Sequence, residues 1–122
     1  MATEIIFIKK QTNGTGLHLS DNQGHAGDNT ITTNVRKGDT VHWKLAHNSG
    51  ISELTNIYKK EGSQNIFSTL PTKQADGSFK GIVSDDATGS EAYNIGYKIG
   101  DTEYICDPLL EVQPPPSPPI NG

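Results

Sequence analysis

Four histidines, His18, His25, His42 and His47, are the side chains most suited to hold a metal ion. Imidazole is a good ligand for Cu(II), Ni(II) and Zn(II), and ligands often come from neighbouring strands. No pair has His-x-His or His-x3-His spacing, so only the fold could bring them together. We expect scattered surface histidines, with a copper or zinc site at His18, His42 and His47 as the alternative.

Cys106 is the only cysteine, which excludes an internal disulfide. The adjacent carboxylate of Asp107 disfavours a thiolate, so we expect a buried and inert thiol. The chain has no Gly-x-Ser-x-Gly elbow, phosphate-binding loop or dinucleotide fingerprint. The paired carboxylates Asp85-Asp86 fall in a predicted turn, where they need not converge on a substrate. These observations predict a protein that is not an enzyme and carries no cofactor.

Charge and length limit the partners of this chain. Its 122 residues suit one domain, and its formal net charge is -4. The second half carries nine Asp and Glu against three Lys, and this acidic half would repel phosphate backbones. No apolar run approaches the length needed to span a bilayer. We therefore expect neither a nucleic-acid nor a membrane partner.

The first residues do not resemble a secretory signal. Their apolar stretch is confined to Ile5–Ile8 and lacks a basic leader. This favours a cytoplasmic location, unless the sequence begins after a removed signal.

Short strands must position these side chains. Residues 40–45 alternate strictly, with Val41 and Trp43 on one face and His42 on the other, as in a half-buried strand. Other segments rich in β-branched and aromatic residues predict further strands. They are residues 4–9, 17–19, 30–35, 79–83, 92–99, 102–106 and 109–112. Residues 51–58 permit a helical turn or an irregular strand. The spacing is typical of an all-β sandwich.

The expected domain is a two-sheet antiparallel Greek-key sandwich over residues 1–113, of cupredoxin-like or immunoglobulin-like topology. Its predicted core is Ile6, Ile8, Val35, Val41, Trp43, Leu45, Ile82, Tyr93, Ile95, Tyr97, Leu110 and Val112. Residues 114–122 form a Pro-rich tail that cannot pair in a sheet and should be extended polyproline II. That tail is expected to be a linker, with a ligand for a Pro-recognition domain as the alternative.

Two segments resemble cupredoxins. The run Val35-Arg-Lys-Gly-Asp-Thr-Val-His-Trp43 is similar to a sheet strand of that family, and His47-Asn48 follows it. The run Tyr104-Ile-Cys-Asp-Pro108 is similar to the end of the family's copper-bearing strand. The pattern from Tyr93 to Val112 also resembles uncharacterised bacterial β-sandwich domains. The resemblance implies a cupredoxin-like sandwich.

The same resemblance implies an incomplete type 1 copper site. His47 and Cys106 stand at matching places, but Leu109 occupies the family's next histidine position. The only methionine is Met1, so the axial ligand is missing too. Electron transfer through copper is therefore not expected.

A binding or structural module is the function class that remains. Long polar loops at residues 20–29, 46–52, 59–78 and 84–91 could hold a ligand on a rigid scaffold. We predict a non-enzymatic module for protein–protein assembly, by self-association or with another protein. The alternatives are metal binding through surface histidines and carbohydrate binding. The carbohydrate alternative lacks a stacking platform, because Trp43, Tyr58, Tyr93 and Tyr97 are expected to be at least partly buried.

Overall fold

The computed structural model describes residues 2–28 and 31–113, which form strands and turns only. Its strands are β1 (Thr3–Lys10), β2 (Leu17–Asp21), β3 (Ala26–Asp28), β4 (Thr32–Val35), β5 (Thr40–Leu45), β6 (Glu53–Lys59), β7 (Phe67–Lys73), β8 (Phe79–Val83), β9 (Ser90–Ile99), β10 (Thr102–Cys106) and β11 (Leu109–Val112). The predicted all-β class and two-sheet sandwich are confirmed. No helix in this part of the chain is long and apolar enough to cross a membrane. The Pro-rich tail predicted for residues 114–122 lies outside the described residues.

The first sheet has the strand order β3-β2-β1-β5-β8-β7. Strands β1 and β5 lie at its centre, and Ile6 pairs with Trp43 there. Both residues are completely buried, and so are Ile8 and Val41 in the same two strands. The inward face of this sheet therefore supplies one half of the core.

The second sheet is built around β9. Strand β6 lies along one edge of β9, and β10 and β11 pair with successive parts of its other edge. Cys106 pairs with Ile95 and Leu109 pairs with Ala92, so the register continues across Asp107-Pro108. Strand β4 extends this sheet beyond β11.

Both sheets are mixed, which corrects the prediction of a purely antiparallel sandwich. Strand β1 pairs with β5 in parallel, and β4 pairs with β11 in parallel. After β1 the chain passes through β2 and β3 and then crosses to β4 in the other sheet. It therefore enters β5 from the same end as β1. Alternation along a strand shows which face is buried but carries no information on direction, so the pattern could not reveal this.

A sheet-crossing turn lies within the motif that resembles cupredoxins. Gly38 has φ of 82°, a left-handed conformation that favours glycine. The buried carboxylate of Asp39 accepts hydrogen bonds from the backbone N–H of Arg36 at 2.9 Å and of Ala2 at 3.0 Å. The Gly-Asp pair thus fixes the passage from β4 in the second sheet to β5 in the first.

The core contains the predicted residues with two exceptions. Leu45 is partly buried, and Ile82 is 41% exposed. In β8 the buried positions are Phe79, Gly81 and Val83, so strict alternation turns Ile82 outward. Gly81 is buried because the Phe67 ring packs over it, 3.1 Å from where a Cβ would stand.

The sequence did not predict strands β3 and β7, and the structure resolves the alternative left open for residues 51–58. Strands β3 and β7 lie inside the predicted loops 20–29 and 59–78. Pro71 had marked the second region as a break, but a proline is tolerated on an edge strand, and β7 is at the edge of its sheet. Residues 51–58, left open between a helical turn and a strand, belong largely to strand β6.

Candidate functional site

The three histidines predicted as metal ligands lie apart from one another. His18 pairs with Lys9 of β1, and His42 pairs with Ile5 of β1, so both are on the outer face of the first sheet. Four residues of β1 separate these levels, which is about 13 Å along the strand. His47 is in the turn after β5. Within residues 2–28 and 31–113, no three His, Cys, Asp or Glu side chains form a group that could hold a metal ion.

Two histidines instead pair with aspartates. His18 Nδ1 is 2.8 Å from Asp28 Oδ1, in an exposed pair on the outer face. His25 Nδ1 is 2.8 Å from Asp21 Oδ2, and the Asp21 side chain is fully buried. The Thr33 hydroxyl of β4 also donates to Asp21 Oδ2. The second pair therefore ties the β2–β3 hairpin to the opposite sheet.

A Ser-His-Asp grouping occurs where the sequence analysis found no catalytic motif. His42 Nε2 is 2.8 Å from Ser78 Oγ, and Ser78 Oγ donates to Asp76 Oδ1 at 2.6 Å. In a nucleophile triad the carboxylate bonds to the histidine, and the histidine takes the serine proton. Here the carboxylate of Asp76 accepts the hydrogen bond from the serine hydroxyl itself. The order of the three groups is therefore not that of an activated nucleophile.

The charges around this grouping also indicate that Ser78 is not an activated nucleophile. Hydrogen bonds from the Ser78 side chain and backbone lower the pKa of Asp76, so this carboxylate is ionised and can only accept. Burial, together with Lys80 and Lys44, lowers the pKa of His42. Ser78 is itself buried, 6% exposed, in the turn before β8. The grouping holds that turn against β5 and has no exposed nucleophile.

Cys106 is buried, as the sequence predicted. Cys106 is the last residue of β10 and is 5% exposed. Burial, with a contribution from the charge of Asp107, raises the pKa of the thiol to about 11. The protonated thiol therefore predominates at neutral pH.

A mainly apolar groove lies between β6 and β7 and is called the β6–β7 groove below. Its volume is about 430 Å³. The lining residues are Asn56, Ile57, Tyr58, Lys59, Asn65, Phe67, Leu70, Pro71 and Glu91. Strand β7 is an edge of the first sheet and β6 is an edge of the second. The groove between them is therefore an open side of the sandwich.

The walls of the β6–β7 groove combine a buried floor with an exposed apolar rim. Ile57 and Phe67 are 2% and 6% exposed and form part of the core. Leu70 is 61% exposed and Tyr58 is 37% exposed. Large apolar side chains held beside a concave surface are typical of a binding surface.

A buried carboxyl group lines the same groove. Glu91 is 1% exposed, and its Oε1 accepts a hydrogen bond from the Ile66 backbone N–H at 3.0 Å. Burial raises the pKa of Glu91, and the Ile66 hydrogen bond and the charge of Lys59 partly oppose that shift. Glu91 thus adds a polar point to a mainly apolar surface.

Sequence reasoning missed this groove for identifiable reasons. Leu70 fell in a segment predicted as loop, and Tyr58 was expected to be partly buried. The predicted stacking candidates Trp43 and Tyr93 are 0% and 1% exposed and offer no face to a sugar. The available signal was Leu70-Pro71 in a polar stretch, where an apolar side chain has no neighbour in sequence to pack against.

Sequence comparison gives no relatives, but the fold has counterparts. No protein-family model matches the chain, and no curated protein matches its sequence. An inclusion body protein, PixA, from Burkholderia cenocepacia has a similar structure, with a TM-score of 0.59 and 10% identity. The match covers 92% of this chain and 96% of that one. At this identity the likeness shows a shared fold alone.

A weaker structural likeness involves a cysteine protease inhibitor from Entamoeba histolytica. Its TM-score is 0.45 at 16% identity, covering 93% of this chain and 97% of that one.

Proposed function

We propose that this chain is a non-catalytic module for protein–protein assembly, and that the β6–β7 groove docks an extended, mainly apolar segment of a protein. One observation carries the proposal: Leu70 and Tyr58 are exposed on the rim above a floor of buried Ile57 and Phe67. Apolar side chains that enter this groove would lose water contact on both sides, which is the main source of affinity in such sites.

The edges of the two sheets favour a peptide segment over a small molecule. Within the described residues, β6 pairs only with β9 and β7 only with β8, so each has an unpaired edge. Backbone groups at such an edge can bond to an extended segment. Pro71 lacks an N–H and Lys73 adds charge to β7, two features that discourage continuous strand addition there. Side chains in the groove would therefore contribute more than backbone pairing at β7.

The fold neighbour supports an assembly role. The Burkholderia cenocepacia protein is described as an inclusion body protein. As part of the proposal, this chain too would associate with protein chains.

The arrangement of Asp76, Ser78 and His42 supports a non-catalytic role in this proposal. The Ser78 hydroxyl donates to Asp76 Oδ1, and His42 Nε2 is 2.8 Å from the same Ser78 oxygen. The proton that a general base would have to remove is already donated in a hydrogen bond to the Asp76 carboxylate.

Selection of peptides from a random library displayed on phage tests the docking surface. We expect enriched peptides with apolar or proline residues from the parent chain and none from Leu70→Asp. Ile105→Asp is a matched control, because Ile105 is also 61% exposed but lies on β10 away from the groove. Enrichment that persists in Leu70→Asp, or no enrichment from the parent, would contradict the proposal.

A further inference from the structure

We propose that the segment docked in the β6–β7 groove carries one lysine or arginine, and that the carboxylate of Glu91 binds its cationic group. This inference rests on the proposed function, because it adds a charged anchor to the same docking site. It makes Glu91 the residue that selects among otherwise similar apolar segments.

Glu91 offers a carboxylate oxygen to the groove. The residue is 1% exposed and is one of the lining residues. Among the described residues, the Ile66 backbone N–H gives this carboxylate its only hydrogen bond, which is 3.0 Å long and ends on Oε1. No side-chain oxygen in this part of the chain is both fully enclosed and without a partner. The Oε2 atom therefore opens to the groove, where a docked side chain can reach it.

The protein itself gives Glu91 no ion pair. Within residues 2–28 and 31–113, no basic side chain forms a salt bridge with this carboxylate. Lys59 is exposed at the end of β6 and acts on Glu91 only through its charge. Burial raises the pKa of Glu91, so the ionised carboxylate lacks stabilising contacts that a bound cation would supply. Charged donors form the strongest hydrogen bonds to such a group.

The groove has a direction, because its two ends differ in charge. Glu91 lies at the end where β6 finishes and β7 begins with Phe67. At the other end, Lys73 Nζ pairs with Glu53 Oε2 at 3.1 Å, so these two charges compensate each other. Leu70 is three residues after Phe67, which is about 10 Å along β7. The basic residue should therefore lie about three positions from the apolar residue that covers Leu70.

A basic residue fits this end of the groove better than a neutral or an acidic one. A neutral apolar segment would remove water from Oε2 of Glu91 without replacing its hydrogen bonds, which costs binding energy. An acidic residue would place a second negative charge beside the first. The net charge of -4 on the whole chain also attracts a basic segment from a distance.

The test starts from phage selection on the parent chain, with random peptides displayed between fixed flanking residues. We expect lysine or arginine to be enriched at one position, about three residues from an apolar one. The best peptide is then synthesised with capped ends in a charged and a neutral form. The neutral form carries citrulline in place of arginine, or acetyl-lysine in place of lysine. The charged form should bind the parent about tenfold more tightly, and only this form should strongly shift the Ile66 amide in NMR titration.

Two carboxylate variants separate Glu91 from general attraction by an acidic chain. In Glu91→Gln the amide oxygen can still accept from the Ile66 N–H. The charged peptide should bind this variant about tenfold more weakly than the parent, whereas the neutral peptide should bind both equally. Glu111→Gln is the matched control, since Glu111 is exposed on β11 and does not line the groove. It should leave both affinities unchanged.

Three results would overturn the inference. They are selected peptides without an enriched basic residue, equal binding of the charged and neutral peptides to the parent, and equal losses of affinity in the two variants. Each of these removes only the anchor, because peptides that depend on Leu70 would still support docking in the groove. No enriched peptides from the parent removes the proposed function as well. If Glu91→Gln does not fold, the two peptides on the parent, followed at the Ile66 amide, decide the question alone.

Discussion

The indole Nε1 of Trp43 donates a hydrogen bond of 3.0 Å to the hydroxyl of Tyr93 across the core. Trp43 belongs to β5 of the first sheet, and Tyr93 belongs to β9 of the second. Their rings also meet edge to face, with centroids 5.5 Å apart. The two sheets are thus joined by a specific polar contact inside an apolar layer.

Replacing Tyr93 by phenylalanine should reduce the free energy of unfolding by about 1–3 kcal/mol, because the buried indole N–H loses its acceptor. Urea unfolding followed by the fluorescence of Trp43, the only tryptophan, measures this loss. Tyr104→Phe is the control: Tyr104 is half-buried on β10 and stacks on Tyr97. A loss no larger than that of the control would show that the hydrogen bond is unimportant.

The buried Asp21 should contribute far more stability than the exposed Asp28, although each pairs with a histidine at 2.8 Å. Asp21 also accepts from the Thr33 hydroxyl and from the backbone N–H of Gln23 and His25. We expect Asp21→Asn to cost about 2–3 kcal/mol in urea unfolding at neutral pH. Asp28→Asn should stay within about 0.5 kcal/mol of the parent. Equal losses of unfolding free energy in Asp21→Asn and Asp28→Asn would contradict the larger contribution of the buried Asp21.

The contribution of Asp21 should depend on pH. Burial alone would raise the pKa of Asp21. Hydrogen bonds from Thr33, His25 and Gln23 together lower the pKa by more than burial raises it, so the net shift is downward. A lowered folded-state pKa stabilises the protein above the unfolded-state value, and this stability is lost as pH falls through the folded value. The difference between the parent and Asp21→Asn should therefore narrow below about pH 4. Urea unfolding at pH 7, 5 and 3 measures it, and a constant difference would contradict the sign.

The Cys106 thiol should resist modification in the folded protein. It is 5% exposed, and burial raises its pKa to about 11. At pH 8 we expect a thiol reagent that absorbs on reaction to be consumed very slowly by the native chain and rapidly by the chain in urea. Rapid reaction of the native protein would show that β10 opens at this end.

Ser78 should not react with a fluorophosphonate probe for activated serines. Its hydroxyl is buried and donates to Asp76. We expect no labelling of the parent at pH 8, as for Ser78→Ala, when intact mass is measured. Labelling at Ser78 alone would overturn the non-catalytic assignment.

The sequence predicted which face of each strand is buried better than it predicted which strands lie next to one another. The alternation in β5 placed Val41 and Trp43 inward and His42 outward, as observed. In β8 the hydrophobicity of Ile82 outweighed the alternation, and the prediction was wrong because glycine at position 81 occupies the inward place. Leu70-Pro71 was the one local signal for the β6–β7 groove, but its position could not be predicted, since it depends on two strands from different sheets whose contact no local pattern encodes.

The parallel pairing of β4 with β11 has a consequence for how the chain folds. Thr32 lies opposite Leu109, so residues 77 positions apart in sequence must meet before β4 has a neighbour among the described strands of its sheet. Loop closure over such a separation is entropically costly, and domains dominated by distant pairings fold slowly. On the ribosome, the first sheet could begin to assemble early, but the sandwich could close only once β11 had emerged.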